Sequence, residues 1–169
     1  ACDVEQMTKF STPVYAALMA ENGLACLQRL AKYKHLIGPV TMTVQDLGEQ
    51  VAVHYVFIYP EMAQLQIAVL FEQLLAVNLV RTGSGKAVVP LKMASQFPYP
   101  DAIQAHLGLS GEFSKTNDLI FAKADLLRPF DTANNPLWET MLPTLQAQLA
   151  ENDTEDPLMA SVQETLMTN

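Results

Sequence analysis

The sequence predicts an α+β fold, in which a largely antiparallel sheet packs with helices and a long apolar helix follows a β-hairpin. Apolar residues recur with the helical period over residues 24–37, and the period changes to two over residues 40–45 and 51–59. A long apolar segment at residues 61–81 follows directly. The predicted order is ααββ-α-β-α-ββ-αα, and the lack of repeating βαβ units in it favours an antiparallel sheet.

Two helices are predicted before the first strand. Thr12 and Pro13 are suited to the N-cap and first positions of a helix that is closed by Gly23. A second helix, over residues 24–37, has its apolar residues on one stripe and is ended by Gly38. The basic residues predicted to lie outside that stripe are Arg29, Lys32 and Lys34.

A β-hairpin is predicted next. Residues 40–45 alternate between apolar and polar side chains, which indicates a strand with one face in water. A turn over residues 46–50 contains Gly48, and residues 51–59 form a second strand that is rich in β-branched and aromatic residues. Because both faces of this second strand are mostly apolar, we expect it to lie in the centre of the sheet.

The apolar segment at residues 61–81 has the length of a membrane span, which needs ~20 apolar residues. Strongly hydrogen-bonding side chains interrupt it, however, and they would be costly in lipid. Its good helix formers predict a core helix that is apolar around most of its circumference. Other elements must then surround this helix, or a partner subunit must cover one side. The interrupting residues are Gln64, Gln66, Glu72, Gln73 and Asn78.

Shorter elements are predicted after the apolar helix. A strand over residues 86–94 contains Pro90, which indicates an edge position or a bulge. A short helix over residues 101–107 ends at a glycine. Two further strands, over residues 112–114 and 119–123, are predicted to be joined by a turn.

The last predicted elements are two helices. The first opens at Pro136, with Asn134 or Asn135 as its N-cap. A polar break over residues 152–156 is predicted to end it. Pro157 is then predicted to open the second helix.

Composition and charge exclude some functions. The 169 residues are suited to one domain, and 50% of them are hydrophobic, which is enough for a substantial core. The formal net charge is -8 and no Lys or Arg follows Arg128, so a general attraction to nucleic acid is excluded. Cys2 and Cys26 form no disulfide framework, and we expect free thiols in a reducing cytoplasm. No secretory segment is visible.

No residue pattern indicates an enzyme. RTGSGKA, at residues 81–87, lacks the Ser or Thr that follows Lys in a phosphate-binding loop, and it lies between helix and strand in the wrong order. His35, His54 and His106 lack metal-ligand spacing. Ser110 lacks the glycine pattern of a nucleophile elbow. We therefore expect no catalysis, no metal and no cofactor.

Five residues are candidates for contact with a small ligand. His54, in the middle of a predicted strand, is either a core histidine with a satisfied hydrogen bond or a polar anchor in an apolar pocket. The same two interpretations apply to Tyr33 and Tyr55. Gln73 is one of the rare polar groups of the apolar helix. Arg81 could pair with an acidic ligand or cap the C-terminus of its own helix.

Three residues of the long C-terminal helix are candidates for a dimer interface. Trp138, Met141 and Leu145 lie on one apolar face with neighbouring leucines. They form either the buried face of this helix or the seam of a dimer, where Met and aromatic residues are enriched.

Several segments, taken in order, resemble the effector-sensing domain of AraC-type bacterial transcription regulators, and more narrowly its arabinose-binding-like N-terminal class. The resemblance spans residues 10–150. The segments are FSTPVYAAL at residues 10–18, CLQRLAKYKHLIGP at residues 26–39, AIQAHL at residues 102–107, Gly108, Phe113, Asn117 with Leu119 and Phe121, and ADLLRPF at residues 124–130.

The resemblance implies a cytoplasmic sensor that binds a small-molecule effector of unknown identity and forms a homodimer, with no membrane contact. It also implies two helix-turn-helix units at the C-terminus, so DNA would be bound only through a domain missing from this chain. We expect residues 1–11 to be a flexible start or the remnant of a missing N-terminal part. Residues 12–152 would form the ligand-sensing and dimerisation domain, and residues 153–169 the start of a linker helix.

Two alternatives to a ligand sensor stay open. The first is a module that only dimerises, with its pocket filled by side chains. The second is a small enzyme, which would need a nucleophile–base pair in a cleft. A cavity near His54 and Tyr55 would support the sensor, whereas a closed interior around residues 61–81 would support the dimerisation module.

Overall fold

The computed structural model describes the backbone of residues 12–167 and the side chains of residues 12–152. A helix over residues 12–18, α1, comes first. The following elements are α2 (Gly23–Lys32), a 3-10 helix (Lys34–Leu36), β1 (Val40–Asp46), β2 (Gln50–Phe57), α3 (Pro60–Ala63), α4 (Gln66–Ser84), β3 (Lys92–Ser95), α5 (Asp101–Leu107), β4 (Glu112–Phe113), β5 (Asn117–Ala122), α6 (Lys123–Leu126) and α7 (Asn135–Met167).

The strands form one five-stranded sheet in the order β1-β2-β5-β3-β4. The β1–β2, β2–β5 and β5–β3 pairs are antiparallel, and the β3–β4 pair is parallel. The predicted α+β class with a largely antiparallel sheet is therefore confirmed.

The predicted hairpin is also confirmed. Strands β1 and β2 pair from Val40 opposite Phe57 to Asp46 opposite Val51. In the turn, Gly48 has a φ of 95°, and its N–H donates to the Asp46 carboxylate at 2.9 Å. Strand β2 lies between β1 and β5, which is the interior position that its apolar faces predicted.

One face of the sheet packs on α2 and α4. From β2, this face presents Val51, Val53 and Tyr55, all at most 3% exposed. Helices α2 and α4 bring leucines and valines into the same cluster, among them Leu27 and Val77. On the opposite face, the residues that alternate with these include His54, which is half-buried.

The predicted apolar helix is divided into two helices. A turn at Gln64 and Leu65 separates α3 from α4, because Leu65 has an extended backbone with φ -94° and ψ 109°. Helix α4 continues three residues beyond Arg81, where the predicted apolar segment ends, and it stops at Gly85, whose φ is 66°. A Cβ atom at Gly83 would collide with the ring of Phe130, so glycine allows the helix to pass this ring.

Helix α4 lies in the core, as predicted. It is the one described helix that is long and apolar enough to cross a membrane by length and composition, and 56% of its apolar window is buried inside the structure. Val69, Ala76, Val77 and Val80 are at most 1% exposed. The sheet and α2 therefore cover much of this helix.

The N-terminal helix boundaries differ from the prediction. Gly23 does not close α1; it is the first residue of α2, and the Asn22 side chain caps α2 by accepting from the N–H of Ala25 at 2.9 Å. A Cβ atom on Gly23 would lie 3.1 Å from the Leu126 side chain, so close packing explains the glycine. The helix predicted to reach residue 37 ends at Lys32 and is followed by the 3-10 helix.

Strand β3 is shorter than predicted and does not lie at an edge. It begins after Pro90, at Lys92, and lies between β5 and β4. The proline therefore needs neither an edge position nor a bulge. Strand β4 pairs with β3 rather than with β5, so the turn predicted between the last two strands does not form a hairpin.

Helix α7 continues through the predicted polar break. Asn134 is its cap, since its side-chain oxygen accepts from the N–H of Leu137 at 3.1 Å. The helix then runs for 33 residues, across residues 152–156 and Pro157. An Asn, Asp or Thr costs at most roughly 0.7 kcal/mol at a helical position, which does not end a helix. An interior proline costs about 3 kcal/mol through its ring clash and its missing donor, yet α7 continues through Pro157.

Candidate functional site

A cleft of about 310 Å³ lies where β2 and β5 run side by side. It brings together two of the predicted ligand contacts, His54 and Tyr55. We call it the His54 cleft. It is lined by His54, Tyr55, Val56, Phe57, Ala63, Lys115, Thr116, Asn117 and Asp118.

Asp118 fixes the orientation of the His54 ring. The two residues are opposite each other in the β2–β5 register, and His54 Nδ1 lies 2.5 Å from Asp118 Oδ1. Asp118 Oδ2 accepts a second hydrogen bond, at 2.6 Å, from the hydroxyl of Thr116. A carboxylate on Nδ1 leaves Nε2 as the ring nitrogen open to a ligand, and the His54 side chain is 40% exposed.

Tyr55 points to the other face of the sheet. Its hydroxyl donates to the backbone oxygen of Glu72 at 3.2 Å, which joins β2 to α4. Burial, followed by the charge of Glu72, raises the pKa of Tyr55 well above 10. Its phenol therefore remains a neutral donor between sheet and helix.

Gln73 uses both ends of its amide inside the protein. Its nitrogen donates to the backbone oxygens of Ala94 at 3.0 Å and Asp118 at 3.3 Å, and its oxygen accepts from the Tyr99 hydroxyl at 2.8 Å. The side chain is 1% exposed. Gln73 thus ties α4 to β3 and β5, directly behind the Asp118 backbone.

Arg81 joins three pieces of backbone. Its guanidinium donates to the carbonyl oxygens of Val88 at 2.8 Å, His106 at 2.9 Å and Leu107 at 2.9 Å. Two of these carbonyls belong to the C-terminal turn of α5. Arg81 therefore caps a neighbouring helix, rather than its own as one interpretation of the sequence had it.

Tyr33 lies in a separate cluster against α7, away from the His54 cleft. It is fully buried beside Ala16 and Leu145, and its ring meets Trp138 edge-on with 6.1 Å between centroids. The guanidinium of Arg29 stacks 3.8 Å from the Trp138 ring centre. This cluster fixes the start of α7 to α1 and α2.

The three predicted dimer residues differ in exposure. Leu145 is fully buried within the chain, whereas Trp138 and Met141 are partly buried and pack against the same cluster. The apolar face of α7 thus includes all three, as predicted. Their part in a dimer remains a prediction.

The ion pair between Lys34 and Glu72 is not predicted from the sequence. Lys34, predicted to lie outside the apolar stripe, is fully buried, and its ammonium contacts the carboxylate of Glu72 inside the protein. Burial raises the pKa of Glu72, and Lys34 acts in the opposite direction. A glutamate within an apolar helix was the available signal, because a buried charge needs a partner.

The described residues offer little for nucleophilic or metal chemistry. Cys26 is buried, and burial raises the pKa of its thiol to about 12, so the reactive thiolate is scarce near neutral pH. The hydroxyl of Thr116 bonds Asp118 rather than His54. No group of three metal-ligating side chains occurs among residues 12–152.

Comparison with known proteins gives a structural similarity. No protein-family model matches the sequence, and no curated protein does. Among solved structures, the transcriptional regulator CdpR from Pseudomonas aeruginosa resembles this chain with a TM-score of 0.57 and 13% sequence identity. The match covers 78% of this chain and 45% of the regulator, so the chain spans less than half of that protein. Over most of its length, this chain has a fold that occurs in a bacterial transcriptional regulator.

Proposed function

We propose that this chain is the ligand-sensing and dimerisation domain of an AraC-type transcription regulator that works in the bacterial cytoplasm. The observation that supports this most directly is the fold shared with the regulator CdpR. The ordered segments that resemble the arabinose-binding-like class add to it. DNA would be bound by helix-turn-helix units outside this sequence.

The acidic character of the chain agrees with DNA being bound by a different domain of the regulator. It has 18 Asp and Glu against 10 Lys and Arg. A DNA-binding surface needs basic side chains to replace the counterions of the phosphates. DNA contact is therefore assigned to another part of the regulator.

The His54 cleft is the proposed effector site. It offers an oriented imidazole, the ammonium group of Lys115 and the amide of Asn117 beside apolar Val56 and Phe57. A few convergent polar groups in a largely apolar cleft are typical of small-molecule sites.

The proposed mechanism is a shift between two arrangements of the regulator. An effector that binds one arrangement more tightly increases the population of that arrangement. The shift in the equilibrium cannot exceed the difference between the effector's affinities for the two arrangements. Gln73 contacts the Asp118 backbone from α4, so a change at the cleft reaches the core helix through one hydrogen bond.

A thermal-shift screen tests the sensor. Amino acids, sugars and aromatic acids are added to the chain, and an effector that binds only the folded state raises the Tm. The shift should disappear in His54→Ala, while Leu91→Ala, an exposed residue outside the cleft, should keep it. If no compound class shifts the Tm, or if His54→Ala responds like the wild type, the sensor proposal is wrong at this cleft.

A module that only dimerises is the second candidate. The observation that favours it is the packing around Gln73 of α4, whose amide oxygen and nitrogen both bond within the chain. Light scattering separates the two candidates when it is combined with the screen. A dimer that responds to no compound supports the second candidate, and a monomer contradicts the dimerisation proposed for both.

A further inference from the structure

A second cleft of about 310 Å³ lies on the other side of α3, between the end of β2 and the first turns of α4. Its lining includes Ile37, Phe57, Met62, Ile67, Phe71 and Glu72, and we call it the Glu72 cleft. Among the described residues that line this cleft, Glu72 alone has a polar side chain. An apolar cavity of ~150 Å³ can hold benzene, so this volume is sufficient for a ring with a short substituent.

The cleft is apolar and open to solvent at its edge. Ile67 is 77% exposed and Phe71 is 46% exposed, although both are large apolar residues on the core helix. Apolar side chains gain free energy when they leave water, so a molecule with an apolar body would be stabilised between them and Phe57.

The acidic group of the cleft has unused hydrogen-bonding capacity. The Glu72 side chain is 8% exposed, and its Oε2 contacts the Lys34 ammonium, while no other described group donates to its carboxylate. A carboxylate has about four lone-pair positions, and one ammonium cannot occupy them all. A donor that reaches one of the remaining lone-pair positions of a poorly solvated carboxylate therefore gains free energy.

Lys34 limits the charge of a ligand that can donate a hydrogen bond to Glu72. Its ammonium is fully buried and already neutralises the carboxylate. A cationic ligand would place a second positive charge beside Lys34 in a poorly solvated position, which is unfavourable. An anionic ligand has no donor for Glu72 and would be repelled by it.

We propose that the Glu72 cleft binds a small neutral molecule that has an apolar body and a hydroxyl or N–H donor directed at Glu72. The apolar body lies against Ile67, Phe71 and Phe57, and the donor completes the hydrogen bonding of the carboxylate. This site does not depend on the regulatory function proposed above.

Four compounds that share an ethylphenyl group and differ in one substituent test whether the cleft prefers a neutral donor. These are para-ethylphenol, para-ethylbenzoate, para-ethylbenzylamine and ethylbenzene, each titrated into the labelled chain while its backbone amides are followed by NMR. We expect para-ethylphenol to shift the amides of Ala68 and Phe71, with a Kd at least roughly tenfold lower than that of each other probe. Equal binding of the benzoate or the amine overturns the proposal, as does the absence of any shift at these amides.

Two variants test the residues. Ile67→Ala should weaken para-ethylphenol binding roughly fivefold, since it removes apolar contact from an exposed position at little risk to folding. Lys34→Met combined with Glu72→Leu should bind para-ethylphenol and ethylbenzene alike, because the acceptor is gone. Leu91→Ala, outside the lining, is the matched control and should not change the Kd.

Another variant separates this site from the effector proposal. His54→Ala should leave para-ethylphenol binding unchanged, because His54 does not line the Glu72 cleft. If Ile67→Ala keeps the wild-type Kd, or if His54→Ala abolishes binding, the assignment of this cleft is wrong whatever the outcome of the effector screen.

Discussion

Lys34 and Glu72 form an ion pair between the 3-10 helix and α4, and both side chains are almost fully removed from water. Neither Lys34 Nζ nor Glu72 Oε2 has a hydrogen bond to another described group. Two charges that leave water lose hydration, and their mutual attraction offsets this loss only in part. The pair therefore contributes more to the placement of the 3-10 helix than to net stability.

Removal of one partner should be strongly destabilising. We expect Lys34→Met to lower the free energy of unfolding by about 3–5 kcal/mol, because Glu72 is left as an unpaired buried charge. Lys34→Met with Glu72→Leu should restore the wild-type value or exceed it by about 1–4 kcal/mol. Urea denaturation of the three proteins measures this. A double variant as unstable as Lys34→Met would contradict this account.

The elements that could be predicted from the sequence are those with local signals. The β1–β2 hairpin has period-two alternation and a glycine turn, and α5 ends where Gly108 adopts a φ of 78°. The break before α4 lacks such a signal, since Gln64 and Leu65 have no special backbone preference. Contacts distant in sequence accompany that break, among them the hydrogen bond from Gln66 to the Pro98 carbonyl at 2.6 Å.

The candidate site could be predicted only in part. His54 was recognised because a polar residue inside an apolar strand is unusual, and the structure gives it Asp118 as a partner. Asp118 falls in the turn predicted between residues 114 and 119, and its pairing with a residue 64 positions away has no local signature in the sequence. Gln73, a rare polar group of the apolar helix, and Arg81, at the end of that segment, are both candidates for ligand contact, yet each bonds to backbone carbonyls within the chain. Sequence identifies unusual polar residues, but not their partners.

Glu72 should make stability depend on pH in a defined direction. Its pKa in the folded chain is raised above the ordinary 4.5, so the folded state binds this proton more tightly than the unfolded state does. The stability difference between wild type and Glu72→Gln should therefore favour the wild type most below pH 4.5. It should decline as pH rises through the raised pKa. Urea unfolding of both proteins at a series of pH values measures this difference in unfolding free energy. An advantage of the wild type that grows as pH rises would contradict the prediction.

Gly83 should not tolerate alanine, although alanine is the better helix former. A Cβ atom there collides with the ring of Phe130, which is 5% exposed and has little room to move. We expect Gly83→Ala to cost about 1–3 kcal/mol, the usual range for overpacking a core. Gly38→Ala is the control, since no described atom outside its two chain neighbours lies within 4 Å of its Cβ position, and it should change stability by less than about 0.5 kcal/mol. Equal effects would show that the contact with Phe130 is unimportant.

Arg81 should be irreplaceable by lysine. A lysine keeps the charge but lacks the planar fork that reaches the carbonyls of Val88, His106 and Leu107 together. We expect Arg81→Lys to cost about 1–3 kcal/mol and to accelerate amide hydrogen exchange in α5. Arg128→Lys is the matched control, because the Arg128 side chain is 50% exposed and its contact is with Asp125. Unchanged exchange in α5 would show that Arg81 is not its cap.

The thiol of Cys26 should react only when the chain unfolds. Cys26 is fully buried, and its pKa is raised to about 12 by burial. Both the access of a reagent and the fraction of thiolate are therefore low in the folded protein. We expect a Cys2→Ser variant to react with a disulfide reagent at a rate that follows its unfolding, and to react fast in concentrated urea. Adding Lys34→Met, which is expected to destabilise the fold, should accelerate labelling in buffer. Rapid labelling of the folded Cys2→Ser variant would show that Cys26 is reached without unfolding.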